Sequence, residues 1–445
     1  MIFVIFVIFV IFAAMSPVKI AYVRSAEMAM DATIPKRFLP LVVACDESQE
    51  DVTLPTLTAW RQDAAQKVLR PRPTSADRAD WIPREYALMS QDELDQRISA
   101  AKAQLGARLV ILGHHYQRDD IIKHADARGD SFKLAQFAAT RQHADYIVFC
   151  GVHFMAESAD ILSAPHQRVI LPNPTAGCSL ADMANITQVE QLWRVLDELY
   201  RAEAAAGGLP SVIPVTYINS AANLKAFCGR HGGAVCTSSN AAQMMQWAFA
   251  QGKRVLFFPD EHLGRNTALK LGIPENEVVV WNQREEDGGL ENTLALRDSR
   301  VILWKGWCSV HLRFTVEQIE AARQRFPGVR VVVHPECRHE VVAAADMSGS
   351  TEDIIRVVHE SPVGAIWAIG TEVHLVRRLA REYPDKTIFC LDPLVCPCPW
   401  MYRIHPAYLV WTLEELLKGR VVNEVMVDDE TARWARIGLE RMLAT

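Results

Sequence analysis

Short apolar runs, separated by segments with apolar residues at helical spacing, recur from about residue 95 to the end of the chain. Runs such as 109–112 and 301–304 are typical of strands that are buried on both faces of a parallel sheet. The segment 92–105 predicts a helix that leads into the first strand. Alternating short strands and helices predict an α/β fold with right-handed crossovers.

This pattern repeats three times. Each copy opens with a strand that ends in a polar triplet, at 114–116, 217–219 and 334–336. A turn rich in hydroxyl groups follows in each copy, at 129–131, 237–239 and 349–351, and precedes a helix. The third strands lie at 146–149, 255–258 and 365–369, and the fourth at 169–171, 301–304 and 387–391. A cysteine comes soon after each fourth strand, namely Cys178, Cys308 and Cys398.

The spacing within the copies supports the repeat. Tyr116 and Cys178 are 62 positions apart, as are Glu336 and Cys398, whereas the middle copy is longer and contains a polar stretch at 281–300 that we interpret as an exposed insertion. We predict three similar αβα three-layer domains with small parallel sheets, in a pseudo-threefold arrangement around a central active site. Their predicted ranges are 95–205, 206–326 and 327–445, the last including the C-terminal helices.

Residues 1–94 lack sustained periodicity and are predicted to form an N-terminal extension. The apolar run 1–14 is too short to span a bilayer and has no basic stretch before it. We expect a mis-assigned translation start, with Met15, Met28 and Met30 as later candidates. A signal peptide is the alternative.

Composition narrows the class of protein. The net charge is −6, with lysine and arginine scattered along the chain, so neither a nucleic-acid partner nor a membrane is expected. Ten cysteines in 445 residues are too sparse for a disulfide scaffold and indicate a reducing, cytoplasmic location. The expected partner is a small molecule.

Strand-end residues carry the candidate chemistry, because ligands of parallel sheets bind at the carboxyl ends of the strands. A hydroxyl in each turn falls at a predicted N-cap, where free backbone N–H groups favour an anion. Three domains around one axis would direct the triplets and the cysteines at a common centre.

Three cysteines from three domains fit a [4Fe-4S] cluster in which one iron lacks a protein thiolate and acts as a Lewis acid. Burial without metal binding is the alternative for each thiol taken singly. Within the third copy, Cys396 competes with Cys398, and the two could also form a strained, redox-regulated disulfide. Other cysteines are expected to be buried: Cys150, Cys228, Cys236, Cys337 and Cys390.

The chain resembles the quinolinate synthases over about residues 95–440. The resemblance lies in ordered phrases: Gly-His-His-Tyr at 113–116, Gly-Asp-Ser at 129–131, Gly-Val-His-Phe-Met-Ala-Glu at 151–157, Thr-Tyr-Ile-Asn at 216–219, Pro-Asp-Glu-His-Leu-Gly at 259–264, His-Pro-Glu at 334–336, Gly-Ser-Thr at 349–351 and Cys-Pro-Trp-Met at 398–401.

The resemblance implies condensation of iminoaspartate with dihydroxyacetone phosphate to quinolinate on the pathway to NAD, with L-aspartate oxidase as a partner that supplies iminoaspartate. It implies a [4Fe-4S] cluster on Cys178, Cys308 and Cys398, the set that the repeat also selects. The implied substrate-binding residues are His114, Ser131, Tyr217, Asn219, Ser238, His334, Glu336 and Thr351. We assign proton transfer to Glu336 and Tyr116, assisted by Tyr217 and His334.

Several interpretations stay open. His311 either faces the cavity or lies on the following helix, His115 is expected to be structural, and Asp260 is expected at solvent or a domain interface.

Rival functions are a cluster-dependent hydro-lyase acting on another small acid, a redox sensor or electron carrier, and a zinc-stabilised binding module. Activity with the two named substrates would distinguish the chain from the other hydro-lyase. Carboxylate binding would distinguish it from the electron carrier, and metal analysis from the zinc module.

Overall fold

The computed structural model describes residues 82–141, 143–285, 288, 295–394 and 397–444. Several predictions therefore lie outside the described residues, namely those for the apolar run 1–14, the later start codons, most of the N-terminal extension and Cys396. Among the described helices, none is long and apolar enough to cross a membrane.

The first sheet follows a pair of N-terminal helices. Its strands are β1 Leu109–His114, β2 Ala127–Gly129, β3 Tyr146–Cys150 and β4 Arg168–Ile170. Its helices are α1 Arg84–Ala87, α2 Gln91–Leu105, α3 Asp119–Ile122, α4 Ser131–Thr140, α5 His153–Leu162, α6 Ser179–Asp182, α7 Ile186–Leu199 and α8 Arg201–Ala205. Ser90 caps α2 by accepting a hydrogen bond from the Glu93 amide, so the helix begins at Gln91, one residue before its predicted start.

The second sheet has an additional edge strand. It contains β5 Val212–Tyr217, β6 Ala234–Cys236, β7 Arg254–Phe258, β8 Val278–Trp281 and β9 Val301–Trp304, with helices α9 Ala222–Arg230, α10 Ala241–Gln251, α11 Glu261–Lys270 and α12 Ala295–Asp298. Strand β8 pairs with β9 in parallel and ends at the buried Trp281, and Leu296 is fully buried. The interpretation of 281–300 as an exposed insertion is therefore wrong at both of these positions, because each side chain packs into an apolar core.

The third sheet contains β10 Arg330–Val333, β11 Met347–Ser348, β12 Ile366–Gly370 and β13 Thr387–Cys390. Its helices are α13 Val316–Arg325, α14 His339–Ala344, α15 Thr351–Glu360 and α16 Val373–Glu382. The central strands β10 and β12 are apolar and buried, as expected for a sheet covered on both faces.

All three sheets share one strand order. Numbered within its own copy, the strand order across each sheet is second, first, third, fourth. These pairings are parallel. Helices flank each sheet, so the predicted α/β class with three similar three-layer units is confirmed. The exact domain boundaries stay a prediction.

The C-terminal segment does not remain with the third sheet. Helices α17 Pro399–Tyr402 and α18 Pro406–Leu417 lead to β14 Glu424–Val425, which pairs antiparallel with β4 of the first sheet. Helix α19 Asp429–Leu443 then packs on α9 of the second unit, where a Cβ added at Gly229 would lie 1.9 Å from the Trp434 carbonyl oxygen. One C-terminal segment thus ties the first and second units together.

We expect Gly229→Ala to lower the free energy of unfolding by about 1–3 kcal/mol, because the added methyl group must displace backbone. Urea denaturation followed by circular dichroism measures this change. The control is Arg230→Ala, which removes an exposed ion pair with Glu430 between the same two helices and should cost less than about 1 kcal/mol. An equal loss of unfolding free energy in the two variants would show that the close approach at Gly229 does not limit the packing of α19.

Candidate active site

One cavity lies where the carboxyl ends of strands from all three sheets meet. It contains about 630 Å³ of space not filled by atoms, its open mouth included. This cavity is lined by every residue predicted above to bind substrate, to transfer protons or, as the favoured set, to bind metal. These residues are His114, Tyr116, Ser131, Cys178, Tyr217, Asn219, Ser238, Cys308, His334, Glu336, Thr351 and Cys398. The structure therefore brings the whole predicted set together.

His114 ends β1, and Tyr116 follows two residues later. The Tyr116 amide donates to His114 Nδ1 at 3.1 Å, so a neutral His114 carries its ring proton on Nε2. Burial lowers the pKa of His114 to about 3, so the ring is neutral at physiological pH. His114 can consequently donate one hydrogen bond from Nε2.

Arg378 of α16 holds the loop that carries His114 and Tyr116. Its guanidinium donates to the carbonyl oxygens of His115 at 2.9 Å and Gln117 at 2.7 Å, and to Asp119 Oδ1 at 3.0 Å. The Arg378 side chain is buried, and it links the third unit to the first. This cross-link fixes the backbone on both sides of Tyr116.

Glu336 is the buried acidic group of the cavity. Tyr217 donates its hydroxyl to Oε1 at 2.5 Å, and His311 Nδ1 lies 2.9 Å from Oε2. Burial by itself would raise the pKa of Glu336, but His311, His334 and the Tyr217 hydrogen bond lower it to about 2. Glu336 is therefore a carboxylate at neutral pH.

The aromatic groups around Glu336 are held in their neutral forms. Burial lowers the pKa of His334 to about 3, helped by His311, which stacks on it at 4.3 Å between ring centroids. Burial also raises the pKa of Tyr116 and of Tyr217 well above the usual value, the latter with the help of Glu336. Both phenols therefore keep their protons at neutral pH.

The sequence left two alternative positions open for each of His311 and Asp260. His311 begins a 3₁₀ turn, His311–Arg313, and lines the cavity; its position three residues after a candidate ligand was the available signal. Asp260 is fully buried and caps α11 through Leu263, which excludes solvent, the first of its two expected places; the second, a domain interface, stays a prediction. His115, in agreement with its structural interpretation, pairs with Glu352 at 2.9 Å.

The hydroxyl turns follow the predicted capping pattern in the third unit, where the Ser350 hydroxyl is the cap, and differ from it in the first and second units. Asp130 caps α4 and Ser350 caps α15, so Ser131 and Thr351 are the first helical residues, not caps. In the second unit α10 starts after Asn240, and Ser238 lies in the loop before it. The cavity nevertheless faces the N-termini of α4 and α15, whose backbone N–H groups and dipoles favour an anion.

Asn219 offers a further unused polar atom. Its Oδ1 is buried and has no hydrogen-bond partner in the part of the chain that the structure describes. A buried amide oxygen without a partner is costly, since it has lost its bond to water. Because Asn219 lines the cavity, a donor on a bound ligand would satisfy this atom.

The three candidate ligands, Cys178, Cys308 and Cys398, line the same cavity from three different units. Burial raises the pKa of each thiol above its usual value, and their mutual charge effects add to this for Cys178 and Cys308. All three are free thiols. The backbone N–H of Cys398 donates to the fully buried Glu372 at 3.1 Å, which positions the third thiol.

The remaining described cysteines lie outside the cavity. Cys150, Cys228, Cys236 and Cys337 are buried in apolar cores, as expected, whereas Cys390 is only partly buried. A second metal-binding combination exists within the cavity, because the ligand atoms of Cys308, His311 and Glu336 lie within 4.8 Å of one another. These three donors could hold a single ion.

Comparison with known proteins bears on this site. A model of the family described as quinolinate synthetase A protein matches residues 96–444. The chain is 55% identical over 375 residues to the quinolinate synthase of Corynebacterium glutamicum, covering 84% of this chain and 93% of that protein. It is 52% identical over 405 residues to the quinolinate synthase of Rhodopirellula baltica, covering 88% and 99%.

We expect Arg378→Ala to lower the free energy of unfolding by about 2–4 kcal/mol, because it leaves two buried carbonyl oxygens without donors. Arg381→Ala is the matched control, since Arg381 pairs with the same Asp119 from an exposed position and should contribute less than about 1 kcal/mol. Urea denaturation of both variants tests the difference. A cost for Arg381→Ala as large as for Arg378→Ala would contradict the assigned role of Arg378.

Proposed function

The chain belongs to the quinolinate synthase family, and from that premise we propose that it condenses iminoaspartate with dihydroxyacetone phosphate to quinolinate, releasing water and phosphate. The chain is an enzyme, and this reaction would give it a place in NAD biosynthesis. The observation that carries the proposal is one cavity that receives a cysteine, strand-end residues and hydroxyl-turn residues from each of the three units.

The charge of the proposed substrates suits this cavity. Iminoaspartate carries two carboxylates and dihydroxyacetone phosphate one phosphate, and the N-termini of α4 and α15 face the cavity. Ser131, Ser238 and Thr351 would bind these anionic groups. His114 and Asn219 would bind substrate oxygen or nitrogen atoms, the first as a donor and the second through its unpartnered Oδ1.

We propose that Cys178, Cys308 and Cys398 hold a [4Fe-4S] cluster. Three free thiols that line one cavity fit this group by donor type and number. An iron without a cysteine ligand would supply Lewis acidity to a substrate oxygen. Because burial keeps the thiols protonated, metal binding must release their protons and should be favoured by higher pH.

The proton-transfer groups would be Glu336 and Tyr116, assisted by Tyr217 and His334. Glu336 is ionised and can accept a proton, whereas the phenols of Tyr116 and Tyr217 are protonated and can donate one. Tyr217 also orients the Glu336 carboxylate. Condensation with loss of water needs both kinds of group within one cavity from which solvent is excluded.

Two further proposals concern partners and metal. L-aspartate oxidase would supply iminoaspartate, which makes that enzyme the expected partner, in the cytoplasm. The combination of Cys308, His311 and Glu336 favours a second candidate for the metal of this cavity, a single ion such as zinc. Metal analysis separates the two, because only the cluster requires iron and sulfide.

Protein purified without oxygen should contain about four irons per chain, with matching sulfide. We expect Cys178→Ser, Cys308→Ser and Cys398→Ser each to lose most of this iron, since each removes one ligand. Cys390→Ser is the control, because Cys390 lies outside the cavity and should keep the wild-type iron content. Zinc in the wild type, or iron that survives all three substitutions, would refute the cluster site.

We expect Glu336→Gln to lower kcat for quinolinate formation by about 10²–10⁴-fold, because an amide cannot accept the proton. Its iron content should match the wild type. Glu340→Gln, an exposed acid four residues away, is the control and should leave kcat unchanged. A wild type that binds iron but forms no quinolinate from the two substrates would favour a hydro-lyase acting on another acid.

A further inference from the structure

Cys178 begins a tight turn that ends at Met183, on the side of the first unit that faces the second. Cys178 precedes the four-residue helix α6, and Met183 follows it. The Asp182 amide donates to the Cys178 carbonyl oxygen at 3.1 Å, and the Met183 amide donates to the Leu180 carbonyl oxygen at 3.1 Å. Because these hydrogen bonds make one compact turn, the position of Met183 determines that of Cys178.

The Met183 carbonyl oxygen accepts two hydrogen bonds from the second unit. Trp304 Nε1 donates to it at 2.8 Å, and Gln283 Nε2 donates to it at 3.1 Å. Trp304 ends β9, four residues before Cys308, and its side chain is fully buried. The turn that begins at Cys178 is therefore attached to the strand that leads to Cys308.

Gln283 joins the two cysteine loops through a single amide group. Its Nε2 also donates to the Lys305 carbonyl oxygen at 3.0 Å, so its two N–H bonds reach the backbone of both loops. Carbonyl oxygens only accept, which fixes the orientation of the amide, and its Oε1 has no partner among the described residues. A further contact, from the Trp307 amide to Met183 Sδ at 3.3 Å, lies one residue before Cys308.

The additional strand β8 of the second sheet places Gln283 at this point. Trp281 ends β8 in register with Trp304 of β9, and its carbonyl oxygen accepts from the Lys305 amide at 3.0 Å. Gln283 follows two residues later, at the start of a turn in which the Glu285 amide donates to the Asn282 carbonyl oxygen at 3.1 Å. The stretch 281–300, which lengthens the second copy, thus contributes a contact to both cysteine loops.

The loop before Cys308 is also confined by the backbone of its own unit. A Cβ added at Gly306 would lie 2.3 Å from the Pro259 carbonyl oxygen and 3.3 Å from Met183 Cβ. The Glu261 amide donates to the Gly306 carbonyl oxygen at 2.8 Å. Since this loop has little room to shift, the contacts of Gln283 hold the Cys178 turn against a fixed neighbour.

We propose that Gln283 is a positioning residue for the cluster site, which holds the loops of Cys178 and Cys308 at the separation that one shared metal group requires. The inference rests on the cluster proposed above. Contacts behind metal ligands orient them, and a site already in place binds more tightly because binding need not bring separate loops together. Retention of iron should therefore depend on Gln283.

The test compares Gln283→Glu with the wild type, both purified without oxygen and reconstituted with iron and sulfide. Glutamate has nearly the shape of glutamine, but its carboxylate has no N–H group to donate to the two carbonyl oxygens. We expect iron to pass to an excess of a coloured Fe²⁺ chelator about tenfold faster than from the wild type. The absorbance of the iron–chelator complex measures this rate.

Two control variants separate positioning from a general loss of stability. Lys305→Ala removes an exposed side chain and leaves the carbonyl oxygen that accepts from Gln283, so it should release iron at the wild-type rate. Gly229→Ala disturbs the packing of α19 on α9 at a distance from both cysteine loops. Iron loss from Gly229→Ala as fast as from Gln283→Glu would attribute the effect to the stability of the fold and would overturn the proposal.

If Gln283→Glu does not fold, as judged by circular dichroism, Gln283→Ala provides the same test, because it removes both hydrogen bonds and adds no charge. Iron loss at the wild-type rate from a folded Gln283 variant would overturn the proposal. A wild type without iron would overturn the cluster site and this inference with it. Iron release is measured without substrates, so a wild type that holds iron but forms no quinolinate would overturn only the proposed reaction.

Discussion

The rest of the site depends on the buried carboxylate of Glu336. An ionised carboxyl group is costly to bury unless donors replace the water that it loses. Tyr217 and His311 provide those donors, and both come from the second unit while Glu336 belongs to the third. The charge is therefore tolerated only when these two units are in contact, which links the acid–base chemistry of the site to the assembly of the fold.

The same rule extends to the first unit. Tyr116 reaches Thr371 of the third unit, His115 pairs with Glu352, and Ser239 of the second unit donates to Asp130. Each contact satisfies a polar group of one unit with a partner from another. No sheet carries a complete site, so the three units must meet before the cavity has its polar lining.

The sequence predicts those features that are local. Strand ends such as His114 and His334 follow from short apolar runs, and the rule for parallel sheets brings them to one centre. Partners across units, such as Arg378 and Thr371, could not be predicted, because no periodicity records which distant loop approaches a given side chain. The pairing of β14 with β4 could not be predicted either, because a strand of two residues has too little periodicity to be recognised as an edge strand.

The difference at the hydroxyl turns has a functional consequence. A serine at an N-cap uses its oxygen to accept from the helix backbone, and this oxygen is then unavailable to a ligand. In the structure the preceding residues, Asp130 and Ser350, perform this capping. Ser131 and Thr351 consequently face the cavity from the first helical position, where their hydroxyls are not used for capping. Capping by the neighbouring residue thus stabilises the helix and leaves the next hydroxyl for the site.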